Sequence, residues 1–215
     1  MMTFNNFDWV GLHKDNFMIK EAEDRIYERF FEVEKGDIVV DLGGFVGSFT
    51  YSILDKEPEH CWIMEPVETH FRTMYRNLKG FPVSFVRGAI STEKTLDIEW
   101  CGESSISRGI TFKDFRINNC IDKIDFLKTD CEGGEYDIFS EENLDYIKNN
   151  VKKIAGEFHL TDDLNEKFVN FRDNILPMFD NFYVFSIDGV DIKWDLYNEH
   201  FIKYYKQVLF YIDNR

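Results

Sequence analysis

The sequence predicts an α/β fold in which a mostly parallel β-sheet carries helices on both faces. Three observations predict it. Short apolar runs alternate with segments of helical periodicity from about residue 36 to residue 180. A glycine-rich turn at residues 41–47 joins the first apolar run to the helix after it. The last forty residues are rich in β-forming side chains around Asp188-Gly189, a pair typical of hairpin turns.

Composition excludes several classes of protein. The 215 residues are 44% hydrophobic and 17% aromatic, which is too apolar for a disordered chain and suits one domain. The formal net charge of −15 disfavours nucleic acid and anionic membrane surfaces as partners, and we expect neither. Four cysteines without a C-x-x-C pair and an N-terminus without an apolar leader predict a reduced, cytoplasmic location.

We expect one domain in three parts. Residues 1–35 form a helical arm, in which Asn16 is the predicted N-cap of one helix over residues 17–33. Residues 36–160 form the ligand-binding core. Residues 161–215 add a helix and antiparallel C-terminal strands.

The alternation predicts each element of the core and tail in turn. The predicted strands are the run around 38–40, then 61–66, 82–91, an exposed strand at 94–101, 124–130, 151–160, two β-rich runs within 182–196, and 204–214. The predicted helices are the one after the glycine turn, then 67–80, one following residues 110–112, 132–150 and 162–179. Residues 101–107, with the sequence CGESSIS, are expected to form a loop.

The glycine turn is the first candidate site, because ligands of such sheets bind beyond the carboxyl ends of the strands. A dinucleotide fingerprint fails, since Leu42 stands where the first glycine is required, and an NAD-dependent oxidoreductase is therefore disfavoured. Asp41 ends the strand beside the glycines and would attract a cationic ligand rather than a pyrophosphate. Glu65, at the end of the second strand, suits two ribose hydroxyls. A positively charged nucleoside, S-adenosylmethionine, satisfies both acids; the alternative is a structural turn and a solvated acid.

Four motifs then carry a family resemblance: VVDLGGFVGSFT, IMEPVETHFRTMYRNL, RGAIS and IDFLKTDCEGGEYDIF. Together, in this order and spacing over about residues 20–160, they resemble the FkbM family of S-adenosylmethionine-dependent methyltransferases. The resemblance implies a Rossmann-like class I methyltransferase fold, with a mostly parallel seven-stranded sheet whose last strand is antiparallel. It also implies methyl transfer to a hydroxyl of a saccharide or small natural product.

The resemblance also implies residue roles. Asp41, Gly43 and Gly47 would contact the methionine part of the cofactor, Glu65 the ribose, and Gly88, Ala89 and Ile90 the adenine. The full predicted cofactor set adds Gly44, Phe45, Ser48, Pro66 and Asp130. Ser104 and Ser105 match the serine pair that the family carries near the substrate entrance, and the arm and the tail after His159 would shape the acceptor pocket.

Two strand ends supply candidate catalytic groups. Asp130 with Glu132, and Glu157 with His159, are two residues apart and so share a face of an extended segment. His159 is the first candidate for general base, because its unperturbed pKa of ~6.5 suits proton transfer near neutrality; the alternative is a structural hydrogen bond. Asp130 and Glu132 are predicted to orient the acceptor hydroxyl, with Glu157 beside the substrate.

Other interpretations stay open from the sequence. Asp130, Glu132 and His159 could instead hold a divalent metal ion such as magnesium, an alternative that we do not favour. Glu132 has a structural explanation as an acid that accepts backbone N–H groups at a helix start. The same cofactor site would also serve N- or carboxylate methylation, or a nucleoside-binding partner subunit that has lost catalysis.

Overall fold

Ten strands form two sheets in a computed structural model that describes residue 4 and residues 7–10, 17–100, 103–161 and 163–215. The strands are β1 Ile38–Leu42, β2 His60–Glu65, β3 Val83–Arg87, β4 Ala89–Ile90, β5 Thr95–Trp100, β6 Glu103–Ile110, β7 Ile124–Thr129, β8 Val151–His159, β9 Phe182–Phe185 and β10 Gln207–Asp213. The α-helices are α1 Phe17–Glu23, α2 Ser48–Ile53, α3 Glu68–Leu78, α4 Phe112–Asn118, α5 Glu135–Ile138, α6 Glu141–Asn150, α7 Asn165–Asn170 and α8 Phe201–Tyr204.

The main sheet has seven strands in the order β3-β2-β1-β7-β8-β10-β9. Neighbours from β3 to β8 pair in parallel, whereas β10 lies between β8 and β9 and is antiparallel to both. The predicted mostly parallel, seven-stranded sheet with an antiparallel last strand is confirmed. Because β1, β2, β7 and β8 are parallel, their carboxyl ends meet at one edge of the sheet.

Apolar side chains cover both faces of this sheet. Alternate residues of β1 enter different clusters: Val40 packs with residues of α4 to α7, whereas Val39 packs with the 3₁₀ turn Ile26–Glu28 and with α2. A third cluster joins Ile63 of β2 to α3. The helices therefore lie on both faces, as predicted. Within the described ranges, no helix is long and apolar enough to cross a membrane.

The predicted single helix over residues 17–33 is wrong. Helix α1 ends at Glu23, Arg25 adopts a left-handed conformation with φ 50°, and a 3₁₀ turn Ile26–Glu28 follows. The break allows Ile26 to enter the core, where its carbonyl accepts a hydrogen bond of 2.5 Å from the hydroxyl of Tyr211. Tertiary packing thus overrides the helical pattern; Asn16 lies outside the described residues.

The region after β3 also differs from the prediction. The predicted strand at 82–91 is interrupted at Gly88, and its second part, β4, pairs with β6 in a separate sheet of order β4-β6-β5. A Cβ atom on Gly88 would lie 2.8 Å from Ile110 of β6, so this crossing needs glycine. Residues 103–107, predicted as part of a loop, belong to β6, which pairs antiparallel with β5.

Two further segments are shorter than predicted. The helix expected over 132–150 is interrupted between α5 and α6 at Phe139 and Ser140. Around Asp188-Gly189 the turn forms, with Gly189 at φ 85°, but only β9 before it is a strand. After the turn, Asp191 makes one isolated bridge to Phe185 and a 3₁₀ turn Lys193–Asp195 follows.

Candidate active site

A cleft of about 450 Å³ opens at the carboxyl edge of the main sheet, between the ends of β1, β2 and β7 and the outer hairpin β5–β6. Nine predicted residues line it: Gly43, Phe45, Glu65, Pro66, Gly88, Ala89, Ile90, Asp130 and Glu132. A smaller pocket of about 60 Å³ lies beneath the glycine turn and includes Gly44 and Ser48. Four residues line both spaces: Met18, Gly43, Phe45 and Asp130.

The glycine turn fits against β2 and β7 with no room for side chains. Gly43 has φ 76°, and a Cβ there would lie 1.6 Å from the carbonyl oxygen of Asp130. The N–H groups of Gly43 and Gly44 donate to the carbonyl of Met64, at 3.0 and 2.8 Å. Gly47, at φ 86°, packs against Leu78 instead and does not line either space. The turn is therefore a rigid cradle at the sheet edge.

Glu65 lines the cleft as a buried carboxylate, 4% exposed. One oxygen accepts the N–H of Phe45 at 2.8 Å, and the other accepts the N–H of Val67 at 2.9 Å. The Nδ1 of His70 lies 3.4 Å from the second oxygen. Since a carboxylate oxygen has two lone pairs, each oxygen keeps acceptor capacity for a ligand hydroxyl.

Asp41 lies away from the cleft. Its side chain is fully buried, accepts the hydroxyl of Thr50 at 2.9 Å, and forms an ion pair of 3.2 Å with Lys128. Burial alone would lower the pKa of Lys128, but Asp41 and Asp130 outweigh it and raise that pKa, so Lys128 stays charged. Contact between Asp41 and a ligand cation, expected from the sequence, is not what this geometry offers.

Asp130 stands where the cleft and the small pocket meet. Its Oδ2 accepts the hydroxyl of Tyr27 at 3.0 Å and lies 3.8 Å from Lys128. Burial, followed by the charge of Asp130, raises the pKa of Tyr27, so the tyrosine remains a donor. Among the residues described, Oδ1 of Asp130 has no hydrogen bond, which leaves it available to a ligand.

His159 sits behind Asp130 among carboxylates. Its Nδ1 lies 3.0 Å from Glu135, and its Nε2 lies 3.3 Å from Glu132 and 3.5 Å from Glu157. Burial alone would lower the His159 pKa, but the hydrogen bond to Glu135 and the nearby acids raise it to about 10. His159 is therefore an imidazolium at neutral pH, which does not suit the general base predicted from its ordinary pKa. Neither Glu157 nor His159 lines the two spaces described above.

Sequence reasoning missed Glu135, although it is the last acid of the motif at the end of β7. Its fully buried carboxylate accepts the N–H of Cys131 at 2.7 Å and that of Gly133 at 2.8 Å. The helix-start role considered for Glu132 thus belongs to Glu135, whereas Glu132 is an exposed residue at φ 50°. The signal was present, because an acid in the first turn of a helix is a common cap.

The predicted serine pair does not reach the cleft. Ser104 is exposed and Ser105 half-buried on β6, where they pair with Glu99 and Ile98 of β5. Neither serine is among the residues that line the cleft, whereas β5 contributes a continuous stretch of its wall. Those β5 residues, which sequence reasoning did not select, are Leu96, Asp97, Ile98 and Glu99.

A metal would have to compete with existing contacts. Asp130, Glu135 and His159 each offer a ligand atom within 4.8 Å of the other two. This set has Glu135 where the sequence predicted Glu132. Both oxygens of Glu135 already accept backbone N–H groups, and Nδ1 of His159 faces Glu135. These donors do not fit a metal ion as they stand.

The chain is similar to known proteins in sequence and in fold. Residues 102–183 match the model of the methyltransferase FkbM domain, and this range contains Asp130, Glu135, Glu157 and His159. Among curated proteins, none matches the chain.

Solved structures share the fold. A precorrin 8W decarboxylase from Methanobacterium thermoautotrophicum is 17% identical with a TM-score of 0.51, over 96% of this chain and 95% of that one. A putative rRNA-methylase from Clostridium thermocellum is 13% identical with a TM-score of 0.52, over 94% and 97%. An rRNA methylase from Streptococcus thermophilus is 9% identical with a TM-score of 0.53, over 91% and 95%.

At these identities the solved structures speak for the fold alone. The family match covers the ends of β7 and β8, where the charged side chains of the site lie. The resemblance read from the sequence motifs is therefore confirmed: the chain is similar to methyltransferases of the FkbM family and has the Rossmann-like fold of class I methyltransferases.

Proposed function

We propose that the chain is an S-adenosylmethionine-dependent methyltransferase acting on a hydroxyl of a saccharide or small natural product. The observation that carries the proposal is Glu65, a buried carboxylate that lines the cleft beside the glycine turn. A carboxylate held in place by two backbone N–H groups is suited to accept both ribose hydroxyls of a nucleoside. FkbM similarity supplies the reaction class.

The residues present fit this cofactor. Gly43 lines both the cleft and the small pocket and has no side chain, so a ligand can approach its backbone closely. Ribose hydroxyls would reach Glu65, and an adenine would lie along Gly88, Ala89 and Ile90, which form the neighbouring wall of the cleft. We propose the cofactor contacts predicted from the sequence, except those of Asp41 and Gly47, which line neither space.

Bound S-adenosylmethionine would supply a methyl carbon already activated by its sulfonium, so the chain mainly has to align the acceptor. Alignment means holding the acceptor oxygen about 3–3.5 Å from the methyl carbon and in line with the breaking bond. Asp130 is the proposed catalytic residue: its Oδ1 accepts the acceptor's hydroxyl proton while Tyr27 holds Oδ2. Asp130 lines the cleft, and so can touch the acceptor.

His159 and Glu132 take positioning roles in this proposal. The imidazolium of His159 neutralises part of the negative charge behind Asp130 and is oriented by Glu135. Glu132 lines the cleft and faces Nε2 of His159, so it links the acceptor space to the charged cluster. Glu157, buried and 3.5 Å from the same nitrogen, acts through His159 rather than on the acceptor.

Binding of S-adenosylhomocysteine tests the cofactor site. At 100 times its Kd, the ligand should add about 2.7 kcal/mol and raise the unfolding midpoint by roughly 5–10 °C, whereas NAD should not. Glu65→Gln should weaken binding at least tenfold. The amide has one acceptor oxygen, whereas the backbone N–H groups and the ribose hydroxyls share the two oxygens of the carboxylate. Glu68→Gln, at the half-buried start of α3 and outside the lining of both spaces, is the matched control. No midpoint shift in the wild-type chain would contradict the proposed function.

An amine acceptor, which binds as its cation and loses a proton to Asp130 before its nitrogen accepts the methyl group, is the second candidate. The cleft lining that the structure describes carries seven carboxylates and one lysine, Lys167. Glu93, Asp97 and Glu99 on the β5 side have no ion-pair partner within the described ranges. Methyl transfer to glucosamine and to N-acetylglucosamine separates the candidates: oxygen acceptance tolerates the acetyl group, whereas nitrogen acceptance is abolished by it.

Nucleic acid remains disfavoured as the acceptor. A net charge of −15 and an acidic cleft wall both repel phosphates. Two of the similar structures are an rRNA methylase and a putative rRNA-methylase, so ribosomal RNA belongs in the acceptor screen. Methylation of that RNA would contradict the small-molecule prediction, and S-adenosylhomocysteine binding without turnover on any acceptor would indicate a binding subunit.

A further inference from the structure

The small pocket beneath the glycine turn has walls of opposite charge. Its residues come from three places: α1 and the turn after it, the glycine turn with the start of α2, and the end of β7. Two acids, Glu21 and Asp130, and two cations, Arg25 and Lys128, line it. The pocket therefore offers separate partners for an anionic and a cationic group.

Glu21 is the acid in this pocket without an ion-pair partner within the described ranges. It is half-buried, and within the described ranges it makes no hydrogen bond or ion pair. Burial, and then the charge of Asp130, raises its pKa to about 7, while Lys128 opposes the shift. A ligand ammonium placed here would stabilise the ionised carboxylate, which Lys128 does only in part.

Arg25 is the cation with donors to spare. Its Nη2 donates to the carbonyl of Ser52 at 3.3 Å and meets Glu28 at 2.5 Å, but its Nε is buried with no hydrogen-bond acceptor. A buried donor left unpaired is costly, so an incoming carboxylate would be stabilised there. Lys128 is different, because Asp41 and the carbonyls of Leu42 and Gly43 already occupy its ammonium.

The pocket is continuous with the cleft through Gly43, Phe45 and Asp130, which line both spaces. A nucleoside whose ribose lies at Glu65 would direct its 5′ substituent across the glycine turn towards this pocket. In the proposed cofactor that substituent ends in an α-amino acid, which carries an ammonium and a carboxylate. The ligand's ammonium would thus meet Glu21, which has no ion-pair partner within the described ranges, and its carboxylate would meet the unpaired Nε donor of Arg25.

We propose that Glu21 and Arg25, on the N-terminal arm, bind the amino-acid end of the cofactor, with Glu21 facing its ammonium and Arg25 its carboxylate. This inference rests on the proposed function. It assigns the arm to cofactor recognition, whereas the sequence predicted that the arm shapes the acceptor pocket. Arg25, where the chain leaves the helical path at φ 50°, contributes its side chain to the pocket lining.

A pair of ligands isolates the contribution of this pocket. S-Adenosylhomocysteine carries the amino-acid end, whereas 5′-methylthioadenosine has the same nucleoside and sulfur without it. Calorimetric titration of the wild-type chain should give at least tenfold tighter binding of S-adenosylhomocysteine. Arg25→Gln and Glu21→Gln should each weaken S-adenosylhomocysteine at least fivefold and change the Kd of 5′-methylthioadenosine less than twofold. Arg25→Lys should recover part of the loss.

Controls come from the same arm. Lys20→Gln and Glu23→Gln alter exposed or solvent-facing charges of α1 that line neither space, and should leave both ligands unchanged. Equal affinity of the two ligands for the wild-type chain would overturn the inference and leave the proposed function standing. Equal losses for both ligands in the variants would do the same, since they would report a structural role. If neither ligand binds the wild-type chain, the proposed function fails and the inference with it.

Discussion

The two halves of the candidate site are built from different interactions. On the side of β1 and β2, hydrogen bonds from backbone N–H groups hold the site in place. The carbonyl of Met64 accepts those of Gly43 and Gly44, and the carboxylate of Glu65 accepts two others. On the side of β7 and β8, charged side chains face each other, and the buried Glu157 lies 3.5 Å from Nε2 of His159. The nucleoside half of the site therefore depends on close backbone packing, whereas the reacting half depends on the protonation states of its side chains.

The difference teaches where each half is vulnerable. A backbone cradle tolerates changes of pH but not added atoms, because its contacts have no freedom to move. A buried charge cluster tolerates changes of side-chain size better than changes of charge, because an uncompensated buried charge is costly. An added side-chain atom should therefore disrupt the first half, whereas a change of pH should destabilise the second.

The largest effect is expected from Gly43→Ala. The new methyl would lie 1.6 Å from the carbonyl oxygen of Asp130, so β1 and β7 must separate, at a cost of more than about 4 kcal/mol in the free energy of unfolding. Gly36→Ala is the matched control: its φ is 81°, yet nothing lies within 4 Å, so only backbone strain of roughly 1–2 kcal/mol remains. Urea denaturation measures the free energy of unfolding of both variants. Equal losses would show that the glycine turn can move to accommodate the methyl group.

An intermediate effect is expected from titration of His159. Its folded pKa of about 10 lies above the ordinary value of 6.5, so its stabilisation is complete below about pH 6.5 and is lost as the pH rises towards 10. The free energy of unfolding should fall by roughly 2 kcal/mol between pH 7 and pH 9. The buried Glu157 acts in the same direction, because burial and then Asp130 raise its pKa and favour its neutral form.

His159→Gln sharpens this test. The variant should lose a large part of the decline between pH 7 and pH 9, while His200→Gln, at an exposed histidine, should keep the wild-type slope. Denaturation at several pH values provides the measurement. A wild-type curve that is flat over this interval would argue that His159 is neutral, and the general-base role predicted from the sequence would regain support.

The smallest effects are expected from Ser104→Ala and Ser105→Ala. Both serines lie on β6 outside the residues that line the cleft, so the Kd of S-adenosylhomocysteine and the rate of methyl transfer should each change less than twofold. Asp97→Asn, on the β5 wall of the cleft, provides the comparison for transfer to an amine acceptor. A large loss of transfer in either serine variant would restore the substrate role that the family resemblance implies.

Much of the sheet was predictable because its strands are short apolar runs with clear boundaries. The runs ending at Leu42, Glu65 and Thr129 are buried on both faces, so periodicity and flanking glycines suffice to find them. Local pattern failed where distant contacts decide the structure. The helix stops at Arg25 so that Ile26 can pack, and residues 103–107 form part of β6, paired with β5, where a loop was expected.

The candidate site divides in the same way. Acids at strand ends, such as Glu65 and Asp130, are visible in the sequence because strand ends are where ligands bind. Their partners are not, since Lys128 lies 87 positions from Asp41 in the chain and pairs with it through the register of β1 and β7. The pKa of His159 likewise depends on Glu135, which only folding brings alongside.

The position of β10 has a consequence for how the sheet is assembled. Strand β9 has β10 as its neighbour in the sheet, and β10 also completes the edge of β8. During synthesis on the ribosome, β8 and β9 both emerge before the strand that separates them. The edge of β8 must therefore wait, unpaired, until residue 213 has been made, and a nascent chain stalled before that point presents an open template for aggregation.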